Sequence, residues 1–516
     1  MHHQFRKVAV AALTAFGLLG SATLAHAQKA QDTIRLAVND PFNVLDSYAI
    51  GHEEANGFNR AVYQHLINYD EYKKQWIPVL AKSFKRVNDT TLEFELREGI
   101  KFHNGNAFDA SDVKTVLDYI TDPNSKVVFK DRYSWIKQTE ILSPYKVRIT
   151  STKAFSTDLG ALAYRIRMYD GETLNSLQDK LDYGRAGSAN GTGPYKVVSL
   201  DRNKGAAIER FDGFVGDKAI FKAPVRRVEA LFIPDKQTRI AQLLTGGIDL
   251  MRNIGPDEAQ DLKGKSGLDV TTTSSGVFVY VTFDALGRSA NKAMTDEKVR
   301  KAFIMAIDRN LLIKGIIPGG DRAYHTKGIC LPSVFGCTPS TEPVKYDPAG
   351  AKKLLAEAGF PNGLDLTIHV FEPVKYIAEA LAGEVRKVGI RASVESLTSS
   401  VYIKKRGDGE FTSFVGNYPT GTHPDMVTLW DFFFSGSRDY WKDDFINKIA
   451  AAGDLEFDDA KRAASYTPAL DRINEKAYIF PISEMPMLWA HNKDIVVTPN
   501  AIADSYPIVG DFAWKK

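Results

Sequence analysis

The sequence predicts an α/β protein whose mixed, mostly parallel sheets are flanked by helices. The first observation is a strand-like alternation of apolar and polar residues at 92–96, followed by a turn and an amphipathic helix over 109–120. The second is a strand at 366–370, a helix at 375–388 and a strand at 391–396, which together form the right-handed crossover unit of a parallel sheet. Strands and helices continue to alternate between and after these two units.

Length and charge limit the classes of function. The chain has 516 residues, 44% of them hydrophobic, and at about 150 residues per domain this length suggests about three domains. Its formal net charge is +3, and loss of a leader that contains Arg6 and Lys7 would leave +1. A chain so close to neutral has no electrostatic reason to bind nucleic acid or an anionic membrane, so we expect neither partner.

Residues 1–27 are typical of a secretory signal peptide. Arg6 and Lys7 form the positive n-region, residues 8–24 are apolar, and Ala25-His26-Ala27 is a small-x-small cleavage site. The alternative is a membrane anchor, because roughly 17 apolar-to-small residues approach the lower limit for spanning a bilayer. The cleavage-site residues and the many Ala and Gly favour removal, and no cysteine near the cut offers a site for a lipid anchor.

The elements of the first half can be assigned in chain order. The patterns predict a strand at 34–38, a helix at 59–66, and strands at 146–150, 195–199 and 225–233. Asp235 is expected to cap the helix that carries Ile240, Leu243 and Leu244.

In the second half, the strand that begins at Val277 is apolar on both of its alternating faces, so it is expected to be buried on both sides. Thr295 is predicted to cap the next helix. Asp347 is predicted to cap a later one, with Pro348 at its first position and Gly359 in the left-handed conformation at its end. The last third is predicted to contain an amphipathic helix over 458–478 and a strand at 487–490.

Cys330 and Cys337 are the only two cysteines of the chain. In the oxidising compartment that a signal peptide implies, two cysteines so close together are expected to form a disulfide. The alternative is half of a zinc site, although no second pair of ligands lies near them in the sequence.

The chain lacks the sequence motifs of catalysis. Neither G-x-S-x-G nor H-E-x-x-H is present, and the histidines that follow the leader are scattered without metal-ligand spacing. The segments GTGPY at 191–195 and GKS at 264–266 lack the glycines that a nucleotide-binding loop requires. We therefore expect no catalytic residues, no metal and no cofactor.

Several sequence blocks together resemble a known family. The segment LREGIKFHNGNAFDASDV at 96–113 is similar to the pattern L-R-x-G-V-K-F-H-D-G-x-P-F-T-A-x-D-V of the family-5 extracytoplasmic solute-binding proteins of ABC importers. Further blocks follow in that family's order: WIPVLA at 76–81, GTGPY at 191–195, the I-P-D to I-D-L block at 233–250, VRKA with AIDR at 299–309, and the Y-D-P to A-G block at 346–359. The resemblance covers almost all of 34–490, and the chain is identified as a member.

The resemblance implies a two-lobed Venus-flytrap fold of the periplasmic-binding-protein type with an extra domain. In this family the first domain is discontinuous. The expected division is a signal peptide at 1–27, domain I at 28–60, 188–273 and 487–516, domain II at 61–187, and domain III at 274–486. The chain crossings near 274 and 486 would form the hinge.

The resemblance also implies a function without catalysis. The protein would capture a peptide-like or other small polar solute between its lobes and deliver it to an inner-membrane ABC permease. A binding protein freed into solution must be retained by an outer membrane, so we expect a monomer in the periplasm of a Gram-negative bacterium. The alternatives are a carrier of a non-peptide solute, such as an opine, a sugar conjugate or a metal chelate, and, more distantly, a periplasmic peptide chaperone or a hydrolase on the same scaffold.

The ligand is expected at the segment 411–430, which combines polar, aromatic and turn residues after a strand. The candidate residues are Asn417, Tyr418, His423 and Trp430, with Lys375 and Tyr376 opposite, and Arg165, Arg167 and Tyr169 as weaker candidates from domain II. In dipeptide- and oligopeptide-binding relatives an aspartate at the position of Asn417 pairs with the α-ammonium of the peptide. Dipeptide-binding relatives place an arginine near 375–378, and nickel-binding relatives have a histidine close to Gly416. These differences leave the identity of the solute open.

Overall fold

The structure is a computed structural model that describes residues 29–41, 44–48, 53–70, 73, 75–128, 130–185, 187–218, 220–317, 319, 325–420, 423–497 and 509–516. The expected leader at 1–27 lies outside these residues.

Within the described residues the strands are β1 (Thr33–Val38), β2 (Ile67–Asp70), β3 (Gln75–Pro78), β4 (Ala81–Asn88), β5 (Thr91–Leu96), β6 (Ile136–Ser143), β7 (Lys146–Ser151), β8 (Tyr195–Asp201), β9 (Gly205–Arg210), β10 (Arg227–Phe232), β11 (Leu250–Arg252), β12 (Leu268–Thr273), β13 (Val277–Phe283), β14 (Leu364–Phe371), β15 (Ile390–Leu397), β16 (Ser413–Pro419), β17 (Ile479–Glu484), β18 (Met487–Asn492), β19 (Ile495–Val497) and β20 (Phe512–Trp514).

The helices of the same residues are α1 (Glu53–Val62), α2 (Ala110–Thr121), α3 (Asp158–Tyr164), α4 (Gly171–Ser176), α5 (Lys236–Leu244), α6 (Pro256–Lys263), α7 (Glu297–Met305), α8 (Arg309–Ile316), α9 (Pro348–Glu357), α10 (Lys375–Arg386), α11 (Ser399–Asp408), α12 (Met426–Phe434), α13 (Asp444–Gly453), α14 (Asp459–Ser465) and α15 (Thr467–Glu475).

Three large sheets organise the fold. A seven-stranded sheet has the order β12-β18-β11-β1-β10-β9-β8, a five-stranded sheet has the order β15-β14-β16-β13-β17, and a four-stranded sheet has the order β4-β5-β7-β6. One hydrophobic core runs through the seven- and four-stranded sheets, whereas separate cores lie on the two faces of the five-stranded sheet. We call the part built on the seven- and four-stranded sheets the first lobe, and the part built on the five-stranded sheet the second lobe.

The mixed α/β class is confirmed, but the expected dominance of parallel pairs is wrong. Parallel pairing within the described sheets joins β1 to β10 and β11, and β14 to β15 and β16. The other neighbours are antiparallel. Short turns account for the pairs β4–β5, β6–β7 and β8–β9, because strands that follow one another through a short turn must run in opposite directions.

The β14–α10–β15 crossover has the predicted parallel register, in which Leu364 lies beside Ile390 and Phe371 beside Leu397. Strand β13 is buried on both faces, as predicted. Val279 and Val281 enter the core on one side, while Phe278 and Tyr280 enter the core on the other.

Side-chain caps begin the predicted helices. Asp109 caps α2 by accepting from the amide of Ser111 at 2.7 Å, and the Asp112 carboxylate accepts from the amide of Asp109 at 2.9 Å. Asp235 and Asp347 cap α5 and α9 as expected. Such caps satisfy amides that have no partner within the helix.

The predicted cap of α7 is wrong by one residue. Asp296 accepts from the amide of Lys298 at 2.7 Å, whereas the hydroxyl of Thr295 donates to the carbonyl of Lys292 at 2.8 Å. Thr295 ends a short 3₁₀ turn, so its side chain is engaged on the preceding residues.

Two predicted helices also differ in extent. The helix expected at 59–66 ends at Val62, because the carbonyl of Val62 accepts from the amide of Gly193 at 2.9 Å and is not available to continue the helix. The helix expected over 458–478 is divided into α14 and α15 around Tyr466. Pro468 stands in the first turn of α15, where its missing N–H is tolerated only at a helix start.

In strand β5 one residue is buried, although the alternating sequence pattern predicts that it is exposed. Glu93 is 6% exposed, and its carboxylate is paired with Lys85, Lys146 and Arg148. Glu93 lies on the face opposite the core residues Leu92 and Phe94, where the side chains of three cations on the neighbouring strands cover its carboxylate.

Two segments connect the lobes side by side. Strands β12 and β18 pair in the seven-stranded sheet, and their continuations β13 and β17 pair in the five-stranded sheet. At the crossing the amide of Met485 donates to the carbonyl of Val277 at 2.8 Å, and the Ser275 hydroxyl donates to the carbonyl of Met485. The two lobes are thus joined by one hydrogen-bonded ribbon.

Cys330 and Cys337 form the predicted disulfide. Cys330 is buried in a core of the second lobe beside Ile329 and Leu331, so the zinc alternative does not apply.

Candidate functional site

Three of the predicted residues lie along one edge of the five-stranded sheet. Because β14 and β16 are parallel, their carboxyl ends share that edge, where Asn417 lies near the end of β16 and Lys375 and Tyr376 begin α10 just after β14. Asn417 is half-buried, and within the described residues its side-chain amide has no hydrogen-bond partner. Lys375 is exposed and pairs with Glu379 of its own helix at 3.3 Å. The edge therefore brings one unpartnered amide near the exposed start of a helix.

Tyr418 and Trp430 are packed into the second lobe. Tyr418 is 9% exposed, its ring lies 4.7 Å from that of Phe432, and its hydroxyl donates to the carbonyl of Thr428 at 3.2 Å. Trp430 on α12 is 4% exposed and packs against Tyr466 with ring centroids 5.7 Å apart. The indole N–H of Trp430 is buried without a partner among the described residues.

His423 lies where the two lobes meet. Its imidazole stacks on Tyr164 at the end of α3 with ring centroids 5.8 Å apart, and it is only 3% exposed. Neither ring nitrogen has a hydrogen-bond partner in the described part of the chain. Burial lowers the pKa of His423 well below 6.5, and the cations Arg165 and Arg462 lower it further. The imidazole is therefore neutral at neutral pH.

Arg165 follows α3 in the first lobe and reaches the same junction. It is half-buried, its Nε atom is inaccessible, and the described structure gives its guanidinium no hydrogen-bond partner. Burial lowers the pKa of Arg165, as does Arg132, while Tyr133, Tyr418 and Asp425 act in the opposite direction. Arg165 therefore lies within electrostatic reach of both lobes.

Arg167 and Tyr169 belong to a different, largely buried network. A guanidinium nitrogen of Arg167 donates to the hydroxyl of Ser47 at 2.6 Å, and the hydroxyl of Tyr169 donates to the carboxylate of Asp46 at 2.7 Å. The Tyr48 hydroxyl donates to the carbonyl of Arg167 at 2.7 Å. These bonds fix the segment 44–48 of the first lobe against the chain that leaves α3.

The structure adds residues that the sequence did not single out. Arg462 donates through both terminal nitrogens to Asp425, at 3.0 and 2.8 Å, and its guanidinium lies 4.0 Å from the ring centroid of Phe335. Both charged groups are almost fully buried. The only sequence signal was Asp425, which stands before an apolar helix and caps it, since it accepts from the amide of Val427 at 3.0 Å.

Direct bonds also join the lobes beside this pair. The indole of Trp76 donates to the carboxylate of Asp459 at 2.9 Å, and the Ser156 hydroxyl donates to the carbonyl of Gly453 at 3.1 Å. In each pair the first residue belongs to the first lobe and the second to the second lobe. The lobes are therefore in contact along the α3 side of the junction.

No group of three His, Cys, Asp or Glu side chains in the described residues is arranged to hold a metal ion. Among those residues no helix has both the length and the apolar character needed to cross a bilayer. One cavity of about 460 Å³ lies beside Phe211 of the first lobe, and one of about 400 Å³ lies between Gln260 of the first lobe and Lys314 of the second; neither is lined by His423 or Arg165.

Comparison with known proteins identifies the family. The family model described as "Bacterial extracellular solute-binding proteins, family 5 Middle" matches residues 75–440 of this chain. The glutathione-binding protein GsiB of Shigella dysenteriae serotype 1 is 26% identical over 516 residues, which cover 95% of this chain and 96% of that protein.

Solved structures share the fold. The periplasmic binding protein DppA from Helicobacter pylori in complex with the peptide STSA has a TM-score of 0.72 at 20% identity, over 95% of this chain and 100% of that one. HbpA2 from Haemophilus parasuis has a TM-score of 0.79 at 20% identity, over 94% and 100% of the two chains. Since the family match covers most of the sequence, this chain belongs to family 5 of the bacterial extracellular solute-binding proteins, the solute-capturing components of ABC importers.

Proposed function

We propose that the protein captures a small, peptide-like polar solute between its two lobes and delivers it to an inner-membrane ABC permease. The observation that supports this most is the junction itself, where Arg165 of the first lobe and His423 of the second lobe carry polar atoms without protein partners. Buried polar atoms are costly unless they are hydrogen-bonded, so a bound solute is their natural partner. The names of two similar proteins, one glutathione-binding and one solved with the peptide STSA, favour a peptide-like solute.

The domain division expected from the sequence is part of this proposal. Domain I would comprise 28–60, 188–273 and 487–516, domain II 61–187, and domain III 274–486, with the hinge near 274 and 486. Every strand of the seven-stranded sheet falls within the first set of ranges, and every strand of the five-stranded sheet within the last. The ribbon that joins the sheets at these two positions supports a hinge there.

We further propose that residues 1–27 direct export to the periplasm of a Gram-negative bacterium, where the protein acts as a monomer and a carrier with no catalytic activity. The family is extracellular, and the similar proteins are named for binding. The near-neutral charge gives no reason to expect nucleic acid as a partner.

The test begins with protein purified from periplasm without denaturation. Native mass spectrometry should show a one-to-one complex with a small solute. After the solute is removed by unfolding and refolding, calorimetry with glutathione, STSA and a panel of short peptides should find a saturable ligand. Small-angle scattering should then show a smaller radius of gyration with that ligand than without it, because the lobes close on it.

Other outcomes separate the alternatives. Saturable binding of an opine, a sugar conjugate or a metal chelate but of no peptide would replace the peptide-like solute with a non-peptide one. Weak binding of many unrelated peptides without a change in radius would favour a chaperone. Turnover of any panel member would favour a hydrolase. A protein that neither retains nor binds any solute would contradict the proposal.

A further inference from the structure

Arg165 is a partly buried cation at the contact between the lobes, a place where arginines in proteins usually have an anionic or hydrogen-bonding partner. It stands just after Tyr164, whose ring stacks on His423 of the opposite lobe, and its Nε atom is inaccessible and without a hydrogen bond among the described residues. A guanidinium carries five N–H donors in a rigid fork that matches the oxygens of a carboxylate or phosphate. Removing such a group from water is costly unless an anion faces it.

The carboxylates near Arg165 are already engaged. Asp425 is held by both terminal nitrogens of Arg462 and also accepts from the amide of Val427. Asp158, at the start of the same helix as Tyr164, accepts from both terminal nitrogens of Arg86 at 2.9 and 2.6 Å. These pairs leave no carboxylate for Arg165.

Further charged groups lie around Arg165 and the Asp425–Arg462 pair. Arg132 lies near Arg165 and adds a second positive charge. Burial raises the pKa of Asp454 to about 6, as does Asp425, while Arg462 and Lys153 act against this. One buried carboxylate oxygen of Asp454 has no hydrogen-bond partner among the described residues, and the charges that shift the pKa of Asp454 do not include Arg165.

The neighbours of Arg165 can bind an anion but cannot neutralise a cation. The neutral imidazole of His423 has one N–H to donate, and neither ring nitrogen is engaged. His423 therefore supplies no counter-charge for Arg165.

We infer that the captured solute carries an anionic group, a carboxylate or a phosphate, and that Arg165 binds this group when the lobes close. The inference rests on the proposed function and narrows its substrate class to anions. A peptide bound here would be held at Arg165 through a carboxylate.

The experiment compares Arg165→Gln and Arg165→Lys with the unmodified protein. Arg185→Gln is the matched control, because Arg185 is exposed in the first lobe and paired with Asp182. The probes are the solute that the unmodified protein retains from periplasm, glutathione against its diethyl ester, and STSA against its C-terminal amide. Inorganic phosphate serves as a competitor that separates a phosphate site from a carboxylate site.

The retained solute should be an anion by mass spectrometry. Arg165→Gln should bind it at least tenfold more weakly, Arg165→Lys should be intermediate because lysine lacks the fork, and Arg185→Gln should bind it unchanged. Whichever probe binds should bind better as the free acid than as its ester or amide. The melting temperature of ligand-free Arg165→Gln should be unchanged or higher, a result that a structural role for Arg165 would not give.

Two results would overturn the inference and leave the proposed function standing. One is a retained solute without an anionic group, and the other is unaltered affinity of Arg165→Gln for an anionic solute. A protein that retains nothing and binds none of the probes or panel peptides would overturn both the inference and the proposed function.

Discussion

The imidazole of His423 lies directly against the backbone of Gly160. A Cβ atom placed on Gly160 would lie 2.2 Å from Nε2 and 3.1 Å from the two adjacent ring carbons. Gly160 belongs to helix α3 of the first lobe and His423 to the second lobe, so a residue without a side chain is what allows the two surfaces to meet.

Gly160→Ala should therefore oppose closure of the lobes. Alanine favours a helix over glycine by ~1 kcal/mol, so the first lobe itself should not be weakened by the change. The added methyl group would collide with His423, and we expect solute affinity to fall by about tenfold or more. Small-angle scattering with saturating solute should then show a larger radius of gyration than for the unmodified protein.

Gly383→Ala is the control for this change. Gly383 also lies within a helix, α10, but a Cβ atom there would meet no atom within 4 Å. It should raise stability by up to ~1 kcal/mol and leave affinity and radius unchanged. Equal effects of the two substitutions would contradict the proposed contact between the lobes.

Asn417→Ala should weaken solute binding by ~1 kcal/mol or more, because a hydrogen bond to the solute is lost. Since the amide has no partner in the described protein, the melting temperature of the ligand-free variant should stay nearly constant. Calorimetry and thermal unfolding measure the two effects, with the exposed Asn124→Ala as the control. Unaltered affinity would remove Asn417 from the site.

His103 should make stability depend on pH. Its Nε2 lies 2.9 Å from the carbonyl oxygen of Gly193, to which it donates, and its Nδ1 accepts from the amide of Gly191 at 3.2 Å. Burial lowers its pKa from 6.5 to about 4. Its stabilising contribution is therefore fully present above pH ~6.5 and is lost as the pH falls toward the folded-state value.

His103→Ala should lower the free energy of unfolding by about 1–3 kcal/mol at pH 7, because both hydrogen bonds are lost. Between pH 7 and pH 5 the unmodified protein should lose ~2 kcal/mol more than the variant. Urea unfolding at the two pH values measures both quantities. Parallel pH profiles would show that this histidine does not titrate as described.

The buried pair of Asp425 and Arg462 should be strongly coupled. Arg462→Met leaves a buried carboxylate without its partner, so a loss of about 3–5 kcal/mol in the free energy of unfolding is expected. Adding Asp425→Asn removes the orphaned charge, and the double variant should be more stable than the sum of the single changes predicts. Urea unfolding of all four proteins completes the cycle, and additive losses would exclude the coupling.

Elements set by local chemistry could be predicted from the sequence. The cap at Asp109, the crossover from β14 to β15 and the doubly buried strand β13 each follow from residues within a few positions of one another. The failures have long-range causes. Helix α1 ends early because a distant turn at Gly193 captures the carbonyl of Val62, and no pattern near 62 records that bond.

The candidate site also has residues that the sequence could indicate and residues that it could not. Asn417 could be selected because its place in the sheet follows from neighbouring strands and from the resemblance to relatives. The approach of His423 to Gly160 and the isolation of Arg165 depend on how two lobes meet, and hydrophobic periodicity contains no information on that contact. Tyr169 is a candidate partly because aromatic residues are common in binding pockets, but they are equally common in hydrophobic cores, and Tyr169 is fully buried in one.

The paired crossing at Val277 and Met485 has a topological consequence. Because the chain leaves the seven-stranded sheet after β12 and rejoins it at the adjacent β18, the residues in between form an insertion whose two ends are neighbours. An insertion whose two ends are adjacent can be lengthened, shortened or exchanged with little effect on the sheet into which it is inserted. The second lobe, which carries Asn417 and His423, is thus an inserted domain that can change to fit a new solute while the fold of the first lobe stays the same.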